Sequence, residues 1–152
     1  MQFAVVAVAA AALAVAGASW AQDEAPRSPS PESAVLYVVS PSSGEAVRNP
    51  VTVKFGLIGM GVAPAGVKAR NTGHHHLLID VDPLPPLDRP LPATDAIRHF
   101  GGGQTQTTLH LPPGEHTLRL VLGDQNHVPH DPPVVSEAIR IRVLPAEESA
   151  SE

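Results

Sequence analysis

Apolar and polar side chains alternate along Val51-Thr-Val-Lys-Phe-Gly-Leu57, with Val51, Val53, Phe55 and Leu57 on one face and Thr52 and Lys54 on the other. A period of two is that of a β-strand with one face in a core. The segment from Glu137 to Leu144 repeats it, with Ile139, Ile141 and Val143 inward and Arg140 and Arg142 outward, and is predicted to be the last strand. Thr105 to Leu111 turns Thr107, Leu109 and Leu111 inward, and Glu115 to Leu122 does the same with Leu118, Leu120 and Leu122. Pro113-Gly114 between them suits the centre of a type II turn, because Pro presets φ and Gly accepts a positive one, so these two strands are expected to form a hairpin. Val35 to Val39, ended by Ser40-Pro41, and His74 to Val81, with Leu77, Ile79 and Val81 on one face, complete the set. No segment has a helical period.

Six such strands over about 110 residues predict an all-β domain: an immunoglobulin-like antiparallel β-sandwich with Greek-key connections, the alternative being a barrel. The Pro-rich stretch Pro83 to Pro92 cannot pair as a central strand and is expected to cross from one sheet to the other as an extended edge segment.

The ends of the chain have another character. Met1 to Gly17 holds no charged side chain and is mostly Ala and Val, and Ser19-Trp20-Ala21 places small residues at the cleavage-determining positions. Residues 1–21 therefore have the form of a secretory signal peptide, although the usual basic residue at its start is missing. An uncleaved anchor fits less well, since the stretch is short and weakly apolar beside the roughly 20 strongly apolar residues that span a bilayer. No membrane span is expected after cleavage, and the chain has no Cys for lipid attachment. Residues 22–33 are polar and Pro/Ser-rich and are expected to be a disordered linker, and residues 145–152 a disordered acidic tail. The expected domain is 34–144, in a periplasmic or secreted protein.

Fifteen acidic against 10 basic residues give a net charge of −5 without any basic run, which argues against nucleic acid as a partner. Lack of Cys excludes thiolate metal sites and cysteine catalysis. The compositional outlier is histidine, with eight residues. In immunoglobulin order the strands become A (35–39), B (51–57), C (74–81), E (105–111), F (115–122) and G (137–144), and the B–C, D–E and F–G loops emerge at one end. That end receives His74, His75, His76, His99, His127 and His130, while His110 and His116 flank Pro113-Gly114 at the other.

Residues two apart on a strand share a face, so His74 and His76 can aim at one point, whereas His75 turns with Leu77 and Ile79 toward the core. The candidate metal ligands are His74, His76, His99, His127 and His130, with Asp80 or Asp124 orienting an imidazole from behind. Imidazole and carboxylate donors favour Zn²⁺, Cu²⁺ or Ni²⁺, of which Zn²⁺ or Cu²⁺ is the expected cofactor, and Met60 alone does not make a Cu(I) site. A histidine brace needs His at the mature amino terminus, where cleavage after Ala21 would leave Gln22. Gly101-Gly102-Gly103 is expected to be a bend, with no Lys-Ser/Thr or helix after it to make a phosphate loop. Ser40, Ser42 and Ser43 lie at the end away from the histidines and offer no nucleophile to them.

Asn71-Thr-Gly-His-His-His-Leu-Leu-Ile-Asp80, His99-Phe-Gly-Gly-Gly-Gln-Thr105, Pro113-Gly-Glu-His-Thr-Leu118 and Gly123-Asp-Gln-Asn-His-Val-Pro-His130 together resemble a bacterial family catalogued as a domain of unknown function, number 4399. The likeness runs from about Ser40 to Val143 and implies an exported bacterial domain. It implies nothing about metal. The expected function is an exported metal-binding domain with its ion held by the histidine end. The alternative is a cell-envelope binding or structural module in which the histidines brace loops, hold no metal and leave that end to an envelope ligand; the 3% aromatic content disfavours a stacking platform for sugars. A metal-assisted enzyme is the least supported reading, since no general base is paired with a nucleophile.

Overall fold

All six alternating segments form strands in the computed structural model, which describes residues 27–147. They are β1 (Val35–Ser40), β3 (Val51–Ile58), β5 (Thr72–Ile79), β7 (Gln106–Leu109), β8 (Gly114–Gly123) and β9 (Ile139–Val143), joined by the short β2 (Ala46–Val47), β4 (Gly61–Val62) and β6 (Ile97–His99). There is no helix among the described residues. The signal-peptide segment, the start of the linker and most of the acidic tail lie outside the described residues.

The strands divide into a three-stranded sheet, β1-β3-β7, and a larger one in the order β2-β9-β8-β5-β4, with β6 also pairing with β5. One core lies between the sheets. Leu36, Val51, Val53, Phe55 and Leu109 enter it from the smaller sheet, and Leu77, Ile79, Leu118, Leu120, Leu122, Ile141 and Val143 from the larger. Leu36 apart, for whose segment no face is specified, these are the faces that the alternation specifies, and each fully buried Leu, Ile or Phe contributes about 1.5–3 kcal/mol.

Two connections differ from expectation. β7 and β8 are not a hairpin: β7 pairs with β3 and β8 with β5 and β9, so Pro112-Pro113 carries the chain from one sheet to the other. Gly114 does take a positive φ, 131°. A turn-forming dipeptide reports local chain reversal and leaves open whether the flanking strands pair or go to facing sheets. The Pro-rich stretch, for its part, does not cross between sheets. Its Leu84, Leu87 and Leu91 lie against Leu78, Ile97 and Val121 on the outer face of the larger sheet, forming a second, smaller core. Burial of β5 on both faces follows from this cover. Val81 also joins the second core instead of the first, because Asp80, at φ 57°, breaks the alternation after Ile79.

Residues 27–33, read from sequence as part of the linker, lie along the β8–β9 loop. Arg27 pairs with Asp131 at 2.8 Å and donates to the carbonyl of Leu87, and Ser30 donates to Pro132 O at 2.6 Å.

Candidate metal centre

Four imidazoles meet on the outer face of the larger sheet, beside the second core. Strand β5 supplies two, His74 and His76, which point the same way because they are two residues apart. Pairing of β6 with β5 puts His99 directly opposite His76. The fourth, His127, comes from the β8–β9 loop. One ligating atom from each of His74, His76, His99 and His127 lies within 4.8 Å of all the others, so the group could hold a metal ion. His74 Nε2 and His127 Nδ1 are 3.0 Å apart, one donating to the other. Ring centroids stand 4.8 Å apart for His74 and His76, 5.3 Å for His76 and His99, and 4.6 Å for His99 and His127.

Backbone features make room for these rings. A Cβ at Gly123 would sit 2.6 Å from His76 Cε1, and one at Gly101 would collide with the imidazole of His99. Gly101 lies in the bend expected of the glycine run, closed by Gly103 N–H to Phe100 O at 3.2 Å, and its missing side chain is also the space that His99 fills. His127 adopts φ 66°, a left-handed conformation that costs a residue with a Cβ about 1–2 kcal/mol. The loop enforces it. Asp124, 3% exposed, accepts from the backbone N–H groups of Asn126 (2.8 Å) and Val128 (3.1 Å) through Oδ1 and from the Ser28 hydroxyl (2.7 Å) through Oδ2. The backbone of His127 bonds to Asp124 O on one side and receives Leu91 N–H on the other, each at 3.0 Å. Asp124 thus orients the histidine by fixing its loop backbone. Ser28 and Leu91 have no motif that would have marked them in the sequence.

The electrostatics favour neutral rings. Burial, reinforced by His127 and His99 and opposed in part by Asp124, lowers the pKa of His74 from 6.5 to about 4. Burial and then the three neighbouring histidines lower His76 to about 3, and His99 is lowered by burial and by His127. A neutral imidazole is the form that ligates metal. Nδ1 of His74 and Nδ1 of His76 are buried without a hydrogen-bond partner, a state that costs about 1–3 kcal/mol per group. Four imidazole nitrogen donors suit Zn²⁺ and Cu²⁺ alike.

The remaining predicted residues go elsewhere. His130 is buried with Nε2 3.1 Å from Thr72 O and Nδ1 3.4 Å from Leu122 O, so it braces the loop against β5 and β8. The structure does not bring it to the other four. Asp80 is not behind the cluster; it bonds His116 Nδ1 at 2.6 Å at the far end of β5, where His116 Nε2 also meets Pro112 O at 2.8 Å. His110 is exposed. His75 turns into the main core, as its place in the alternation requires, with its ring centroid 5.0 Å from that of Phe55. Burial lowers its pKa to about 4, the Gln104 backbone opposing in part, and neither ring nitrogen attains hydrogen-bond geometry with a partner.

With the two-sheet fold and the motif-bearing strands in place, the comparison with known families is direct. The sequence model described as "Domain of unknown function (DUF4399)" matches residues 53–144. The chain belongs to the DUF4399 family. No curated protein and no solved structure matches the chain. All four histidines of the cluster fall within the DUF4399 segment, and so do Gly101, Gly123, Asp124 and Leu91, whereas Ser28 precedes it.

Proposed function

We propose that this chain is an exported metal-binding domain in which His74, His76, His99 and His127 hold one divalent ion, Zn²⁺ or Cu²⁺. The observation that carries the reading is the convergence of four imidazoles from β5, β6 and the β8–β9 loop within 4.8 Å. Loop bracing accounts for His130, whose nitrogens face backbone carbonyls, whereas His74 bonds only a fellow histidine of the cluster through Nε2 and leaves Nδ1 without a partner, as His76 also does. Export is supported by the uncharged Ala/Val-rich start and the small residues at Ser19 and Ala21. An immunoglobulin-like sandwich is supported by the division of strands, since A, B and E of the sequence labelling share one sheet and C, F and G the other.

The test is calorimetric titration of Zn²⁺ and Cu²⁺ into metal-free protein at neutral pH, with melting followed in parallel. One ion per chain is expected, and at a hundred times Kd the gain of about 2.7 kcal/mol raises Tm by roughly 10 °C. Absence of saturable binding, together with an unmoved Tm, contradicts the proposal. For export, expression with the full leader followed by mass measurement on the extracytoplasmic fraction is expected to give a chain starting at Gln22; an uncleaved, retained chain contradicts it.

A further inference from the structure

A small cleft of about 100 Å³ opens directly onto the cluster, lined by His76, Leu91, Ala93, His99 and His127. Three of its five walls are therefore candidate ligands. Leu91 is a fixed wall, 6% exposed, with its side chain in the second core and its N–H bonded to His127 O. Ala93 and His99 are exposed and form the mouth. A space of this volume admits only a small ligand.

β5 and β6 present His74, His76 and His99 from the sheet and His127 closes from the loop, so the four rings surround a common centre, with centroids 4.6–6.1 Å apart, and the cleft meets them on the side of His76, His99 and His127. Charge selects what enters. Four neutral imidazoles leave the two positive charges of an ion uncompensated, and no acid lines the cleft. The nearby Asp124 carboxylate is already committed to Ser28, Asn126 and Val128. Outside the mouth, the hollow over His99 is bordered by Asp95 and Arg98, so the negative charge there is matched by a positive one.

We propose that the bound ion keeps one coordination position open toward this cleft and takes a small monovalent anion there, of the size and charge of azide or nitrite. The inference rests on the metal-site reading above. Binding is simple ligation: a lone pair of the anion replaces a water molecule on the ion, with no change of oxidation state.

The experiment loads the full chain with Cu²⁺, measures bound copper after dialysis, and titrates azide while recording the azide-to-copper charge-transfer band. A saturable band at one azide per copper is expected. In Ala93→Phe, which places a ring in the exposed mouth, bound copper is measured again and azide affinity is expected to fall by about tenfold or more, equivalent to at least about 1.4 kcal/mol. Copper bound at one per chain with no saturable azide band overturns the open position while leaving the metal site intact. Equal azide affinity in Ala93→Phe and the parent overturns the cleft as the route. Failure to retain copper overturns this inference, and the metal site falls with it only if the Zn²⁺ titration is also without saturable binding.

Discussion

The left-handed backbone of His127 sets residue preference against function. A Gly at this position relieves about 1–2 kcal/mol of backbone strain and removes an imidazole. His127→Gly is therefore expected to melt no lower than the parent without metal, and to bind Zn²⁺ more than about a hundredfold more weakly, since loss of a ligand exceeds the 10–100-fold typical of losing an outer partner. Reduced metal-free stability with unchanged affinity would contradict this. The two ring-admitting glycines separate stability from binding differently. In Gly101→Ala the displaced ring is that of exposed His99, which can swing into solvent, so normal folding with weakened metal binding is expected. In Gly123→Ala the obstructed ring is that of His76, 1% exposed, with nowhere to go, so calorimetric melting and metal titration are both expected to deteriorate.

At the scale of elements, the β8–β9 loop is held by Asp124, whose buried carboxylate accepts three hydrogen bonds. Hydrogen bonds to a charged group contribute about 1.5–3 kcal/mol each, so Asp124→Ala is expected to lose at least that much in a denaturant melt and to weaken metal binding as His127 loses its position. The element scale also shows what the sequence could carry. Alternation in Val51 to Leu57 and Ile139 to Val143 predicted strand and inward face together, because period two is local. The same rule placed His74 and His76 side by side and His75 in the core. β6 was not legible: three residues hold no periodicity, and His99 reaches the site through pairing with His76, a long-range fact. His127 and His130, three apart in a loop, offered no directional rule, and only the folded backbone separates the one from the other. The cover of Leu84, Leu87 and Leu91 over β5 lacked a signal for the same reason.

For the whole molecule, the histidines make stability depend on pH with two signs. His74, His75 and His76 have folded pKa values of about 4, about 4 and about 3 against 6.5 when unfolded. As pH falls through 6.5 the unfolded chain takes up protons that the folded chain refuses, so metal-free stability declines from there down to about 4 for His74 and His75 and on to about 3 for His76, and the full His75 shift corresponds to roughly 3 kcal/mol. His116 acts in the other direction. Burial lowers its pKa, but the Asp80 hydrogen bond and charge, with Pro112 O and Glu115, outweigh that and raise it. Its contribution is present below the unfolded pKa and is lost as pH rises through the folded one. Asp80→Asn is thus expected to destabilise more in mildly acid than in mildly alkaline solution. His75→Leu, which replaces an unpartnered buried imidazole, is expected to flatten the acid decline in a series of denaturant melts; an unchanged acid slope would contradict that assignment.

The central claim is that four imidazoles from separate elements share one ion, and anomalous diffraction from crystals of the Zn²⁺-loaded protein reads it most directly. A single zinc peak is predicted among His74, His76, His99 and His127, at about 2.0–2.1 Å from their nitrogens. A peak at His116 and Asp80 instead, or zinc held only by surface carboxylates, would contradict the account.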